Sequence, residues 1–200
     1  MESDQYMTLK GPSEGLYKEK GSRFIAKAIP ISSALAAKTE LEKLRREYHD
    51  ARHHCYAYRI GEAPYETRIN DDGEPSGTAG KPILGQIQSF GLTNVLVVVI
   101  RYFGGIKLGT GGLIQAYKTA SQEALRNGTI ENRTWTDRVA ITFNFDQMDE
   151  VMHLIKEENL RHLSREFGEK CHIVLEIRKA KTMKIVKRLS VIENLSVDVI

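Results

Sequence analysis

Three groups of residues in this chain have side chains suited to chemistry. The first is acidic. Asp71, Asp72 and Glu74 fall in the run DDGEPSG. Carboxylate oxygens suit hard cations such as Mg²⁺, but the ligand spacing and closing glutamate of a calcium loop are missing, so no metal site is assigned. The run also reads as a solvated turn rich in Asp and Gly, or as a loop that positions basic neighbours such as Arg68 and Lys81. The second group is His53 and His54. Adjacent residues on a strand face opposite ways, so His54 shares a face with Tyr56 and Tyr58, and His53 with Cys55 and Ala57. Either histidine beside Asp72 or Glu74 would make an acid–base pair. A lone strand histidine is more often structural.

The third group is the stretch Arg101 to Ala120, RYFGGIKLGTGGLIQAYKTA. An apolar run, Val95 to Ile100, enters it, and Gly104, Gly105, Gly109, Gly111 and Gly112 follow. Leu113, Ala116, Tyr117, Ala120 and Ala124 then recur on one helical face. Buried strand, glycine loop and helix succeed one another. The first amides of a helix lack internal partners and carry the positive end of its dipole, so the loop is a candidate anion site, with Lys107 inside it. The order is neither a Walker loop nor GxGxxG. The alternative is that the glycines only make a tight turn and close helix–sheet packing.

These residues need elements to hold them. Strands are expected near 16–20, 23–31, 53–60 and 93–101, with a short one at 65–69. Helices are expected near 33–48, capped by Ser32 or Ser33, and over 78–90. The helix after the glycine loop stops near Asn127-Gly128. Residues 1–12 read as polar and frayed. From 138 onward the pattern changes to strand, helix (capped by Asp146), two strands turned at Gly168, helix 181–193 and a last strand. That βαββαβ order is ferredoxin-like. The expectation is an α+β chain of two domains, 1–137 and 138–200.

Bulk properties narrow the function classes. The chain has 200 residues, 41% hydrophobic and 28% charged, with a formal net charge of +3. These are the proportions of a soluble globular protein. The longest apolar run is too short to span a membrane, and the N-terminus has no apolar signal core, so a cytoplasmic location and no membrane partner are expected. Cys55 and Cys171 form no metal spacing and read as reduced, buried thiols. Arg178, Lys179, Lys181, Lys184, Lys187 and Arg188 give six cations in eleven residues, a candidate phosphate-tracking face. Lys20, Arg23, Arg59, Arg101 and Lys107, with Tyr56, Tyr58 and Tyr102, would make a basic surface with stacking rings if the fold gathers them.

KGSRFIA (20–26), HHCYAYRIG (53–61), DDGEPSGTAGKPIL (71–84) and VIRYFGGIKLGTGGLIQAY (99–117) resemble, in order, the motifs of the IMPACT family of YigZ-like proteins. The resemblance implies that residues 1–137 form a β-sheet with helices on one face. It would be an α/β sandwich similar to the second domain of a small-subunit ribosomal protein, number five, and to domain IV of elongation factor G. The C-terminal domain is similar to domain V of that factor. Both relatives touch ribosomal RNA. The RWD domain of eukaryotic members has no counterpart expected here. The resemblance supplies no established catalytic residues and no cofactor.

The leading reading is a non-enzymatic protein that binds RNA or the ribosome, or a protein of the translation machinery, and bears on translation or its regulation. Lys20, Arg23, Arg59, Arg101, Lys107 and Lys118 would contact phosphates, with Lys184 and Arg188 joining from the second domain. In a second reading the chain is an enzyme acting on a phosphorylated small molecule. There the Gly109, Gly111 and Gly112 amides hold a phosphate, Asp72 or Glu74 holds Mg²⁺ and His54 is the acid–base group. In a third, the same grooves bind a protein.

Overall fold

A computed structural model describes residues 4–200. The chain divides into two compact units. One is Met7–Asn132; the other is Arg133–Ile200 together with residues 4–6.

The larger unit is built on a five-stranded antiparallel sheet. It comprises β2 (Ser13–Glu19), β3 (Ser22–Pro30), β4 (His53–Ile60), β5 (Glu66–Asn70) and β6 (Val95–Tyr102), in the order β2-β3-β6-β4-β5. The central strand β6 reads VLVVVIRY because both of its faces are covered. Val95, Val97 and Val99 join a core with Phe24, Ala26, Ala28, Cys55 and Ala57 beneath α2 (Gly80–Ser89) and α3 (Gly109–Asn127). Leu96, Val98 and Ile100 join a second core with Tyr56, Tyr58 and Ile60 beneath α1 (Ala34–Glu47). The expectation of helices on one face is therefore corrected: α1 covers the opposite face from α2 and α3. Ser33 caps α1, its Oγ accepting from the Ala36 amide at 3.1 Å.

Two close approaches fix this unit. A Cβ on Gly15 would lie 2.3 Å from the Ala124 amide nitrogen, so glycine lets α3 press onto β2. A Cβ on Gly104 would lie 2.0 Å from the Gly21 carbonyl carbon, so the glycine loop is seated on the β2–β3 turn. Gly21 itself has φ of 77°, a conformation glycine adopts without strain.

Part of the stretch expected to be frayed is ordered. Gln5–Leu9 is strand β1, which pairs with β7 (Ile130–Thr134); the first three residues of that stretch lie outside the described ones. The Lys10 amide donates to the Thr129 carbonyl at 2.8 Å.

The smaller unit runs β8 (Thr136–Phe143), α4 (Met148–Glu157), β9 (Arg161–Phe167), β10 (Cys171–Arg178), α5 (Lys179–Leu189) and β11 (Ser196–Val199). Its sheet is antiparallel, in the order β11-β8-β10-β9. Val139, Ile141 and Phe143 alternate inward and pack with Ile173, Leu175, Ile177, Val151, Ile155, Ile185 and Leu189. Asp146 does not cap the first helical turn. Asn144 does, through a reciprocal capping box with Gln147.

Candidate functional site

The acidic loop is a clasp across the end of β4. Asp71 turns inward: its carboxylate accepts the amides of Gly77 at 2.8 Å, Ala79 at 3.0 Å and Gly80 at 2.8 Å, and so holds the start of α2. Burial works against its ionisation, but these backbone donors outweigh burial and hold its pKa below the ordinary carboxylate value. Asp72 goes to the α1 side. It accepts from the His54 amide at 2.7 Å and from the Arg45 guanidinium at 3.0 Å. Glu74 goes to the α3 side. Its Oε1 takes Arg101 at 2.5 Å and the Tyr117 hydroxyl at 2.8 Å.

Glu74 and Arg101 are buried together, with side-chain exposures of 4% and 7%. Around them the Cys55 thiol lies 3.0 Å from the Asp71 carbonyl and 3.3 Å from the Tyr117 hydroxyl. Burial pushes both the Cys55 thiol and the Tyr117 hydroxyl up, so both stay protonated and can donate. The clasp hydrogen-bonds Arg45 and Arg101, and the Lys81 charge also favours the ionised Asp71. Arg45 and Tyr117 were not singled out as partners. A tyrosine on the buried face of α3 was the available signal, because a buried hydroxyl needs a partner.

The two histidines separate as strand geometry requires. His53 Nδ1 lies 2.7 Å from the Asp72 carbonyl, which can only accept, so Nδ1 carries the hydrogen. Its Nε2 faces Glu74 at 4.0 Å. His54 lies on the α1 side, with Nδ1 4.0 Å from Asp72 and Nε2 buried without a hydrogen-bond partner. Burial lowers the His54 pKa below 6.5, against the pull of the Asp72 carboxylate. The native state therefore prefers neutral His54. Its contribution to stability is full above the unfolded value and falls as pH drops below it. Of the histidine–carboxylate pairs expected, His53 with Glu74 and His54 with Asp72 are brought together, each at 4.0 Å, while His54 and Glu74 lie on opposite faces of the sheet. Asp72 and Glu74 likewise diverge and do not converge on one cation.

The basic candidates divide into occupied and free. Arg101 is spent on Glu74. Arg59 donates to the Leu92 carbonyl at 3.2 Å and lies 3.4 Å above the Tyr65 ring. Lys184 and Arg188 are ion-paired with the end of α4: Lys184 to Glu158 at 2.9 Å, and Arg188 to Glu158 and Glu157, each at 2.7 Å. The cations of this α5 face thus have counter-charges from the end of a helix more than twenty residues earlier. Arg23 is exposed, 4.8 Å over the Tyr102 ring. It borders a groove of about 540 Å³ that also holds Lys18, Glu14 and Glu123, so this groove carries both signs.

Lys20, Lys107 and Lys118 are exposed and make no ion pair among the described residues. Lys20 precedes Gly21 in the β2–β3 turn, on which Gly104 is seated. The Gly104 amide also donates to Ser22 Oγ at 3.1 Å. The turn and the glycine loop thus meet at one end of the sheet. Phe103 and Ile106 in that loop are 47% and 56% exposed. Gly109 has φ of 72°. The N-terminus of α3 has no side-chain cap, and a Cβ on Gly111 would meet nothing within 4 Å.

The comparisons with known proteins agree with the motif resemblance. The family model for the Impact N-terminal domain matches residues 20–125. The chain is 41% identical over 139 residues to the IMPACT family member YigZ of Escherichia coli, covering 68% of each chain. It is 37% identical over 164 residues to the IMPACT family member YvyE of Bacillus subtilis, covering 76% of this chain and 73% of that one. A crystal structure described as a hypothetical protein superposes with a TM-score of 0.74 at 30% identity, covering 98% of this chain and 97% of its own. With the motif segments, the family model and these relatives in accord, this chain belongs to the IMPACT family.

Proposed function

We propose that the chain binds RNA, free or in the ribosome, and thereby bears on translation. The observation that supports this is the meeting of the Lys20 turn and the Lys107 loop at one end of the larger sheet, with their ammonium groups unpaired among the described residues. Lysines without carboxylate partners are available to displace counterions from phosphates. The exposed Lys118 on α3 adds a third such charge. The fold resemblance to ribosome-contacting domains supports the reading as an analogy. The small-molecule enzyme reading is disfavoured because His54 and Glu74 do not share a face.

Cosedimentation with ribosomes across a salt series tests the proposal. Wild-type binding is expected to weaken as salt rises from about 50 to about 200 mM. A Lys107→Ala, Lys118→Ala double variant is expected to pellet less at every salt concentration. Absence of wild-type binding even at the lowest salt would overturn it.

A further inference from the structure

Phe103 is a large ring left nearly half in water. It stands at the point where β6 gives way to the glycine loop. Its mounting is rigid on both sides. In the chain before it, Arg101 is held by Glu74, and the guanidinium carbon lies 5.6 Å from the Phe103 ring centroid and 5.3 Å from that of Phe24. In the chain after it, Gly104 is locked onto Gly21 and Ser22. Beyond the ring, Ile106 is exposed beside Lys107, and a Cβ on Gly105 would meet nothing within 4 Å.

An exposed aromatic ring fixed beside free lysines has a specific use. Paired bases hide their faces in the helical stack, whereas unpaired bases offer theirs. Sequence-tolerant stacking on aromatic side chains, with cations tracking the backbone, is how single strands are held. We propose that Phe103 is a stacking platform for an unpaired base, and that the RNA this end of the sheet takes is single-stranded. Lys20 and Lys107 reach the flanking phosphates, and Ile106 covers the base edge. This rests on the RNA-binding reading and narrows its ligand.

The test is fluorescence anisotropy with the whole chain against a labelled oligouridine and a labelled RNA duplex, in a salt series. Phe103→Ala should weaken oligouridine binding roughly tenfold or more, as loss of one stacked base does, and leave the slope of log affinity against log salt unchanged. Phe103→Tyr should restore binding. Lys107→Ala should flatten that slope by about 0.7, the value for one single-strand phosphate contact. The duplex should bind more weakly than the single strand. A Phe103→Ala variant equal to wild type, beside a weakened Lys107→Ala, overturns the platform and leaves RNA binding standing. Equal or tighter duplex binding overturns it too. No wild-type binding to either probe removes both. Phe103 is exposed enough that its variants should fold, and matching thermal melts verify this.

Discussion

At the scale of single residues, the buried Glu74–Arg101 pair dominates the site. Two charges removed from water are tolerated only while each satisfies the other, and removing one partner strands its mate. Arg101→Met should lower stability by about 3–5 kcal/mol, measured by urea denaturation. Adding Glu74→Gln should recover part of the loss, because no charge is then stranded. Equal losses in the single and double variants would mean that packing, not charge, sets the cost. The sequence exposed the ingredients of this pair without exposing the pairing. Asp72 and Glu74 read as candidates for chemistry because carboxylates cluster there, and Arg101 read as a phosphate contact because it precedes a glycine loop. Which arginine meets which carboxylate depends on strand neighbours: His53 stands opposite Arg101 in the β4–β6 register. No local spacing encodes that contact.

At the scale of elements, glycine serves two ends that look alike in a sequence. Gly104 is required by packing, and Gly111 by neither packing nor a positive φ. Gly104→Ala should cost about 1–3 kcal/mol through overpacking against the β2–β3 turn. Gly111→Ala should gain up to about 1 kcal/mol of helix stability. Chemical denaturation of both variants checks the pair, and equal effects would remove the distinction. The elements themselves were largely legible. Strand His53–Ile60 stands where alternation put it, because alternation is a local signal, and the two strands expected on either side of Gly168 are Arg161–Phe167 and Cys171–Arg178. Strand β1 was missed because its partner, β7, lies more than a hundred residues away. The side of the sheet taken by α1 was equally hidden. Periodicity marks which residues of a helix are buried, not which face of a sheet receives them.

At the scale of the whole molecule, each unit carries its own core, and the larger one carries two, on either face of a single sheet. Residues 71–74 touch both sides of that sheet: Asp72 reaches Arg45 on α1, and Glu74 reaches Tyr117 on α3. Cooperative opening units follow shared interactions, so α1 and α3 should open together in native-state hydrogen exchange. Asp72→Ala, which touches only the α1 side, should then lower protection in α3 as well. Unchanged α3 protection would show that the two layers breathe separately. If they open as one, a ligand gripping the loop at the end of β6 would slow exchange in a helix on the far side of the sheet.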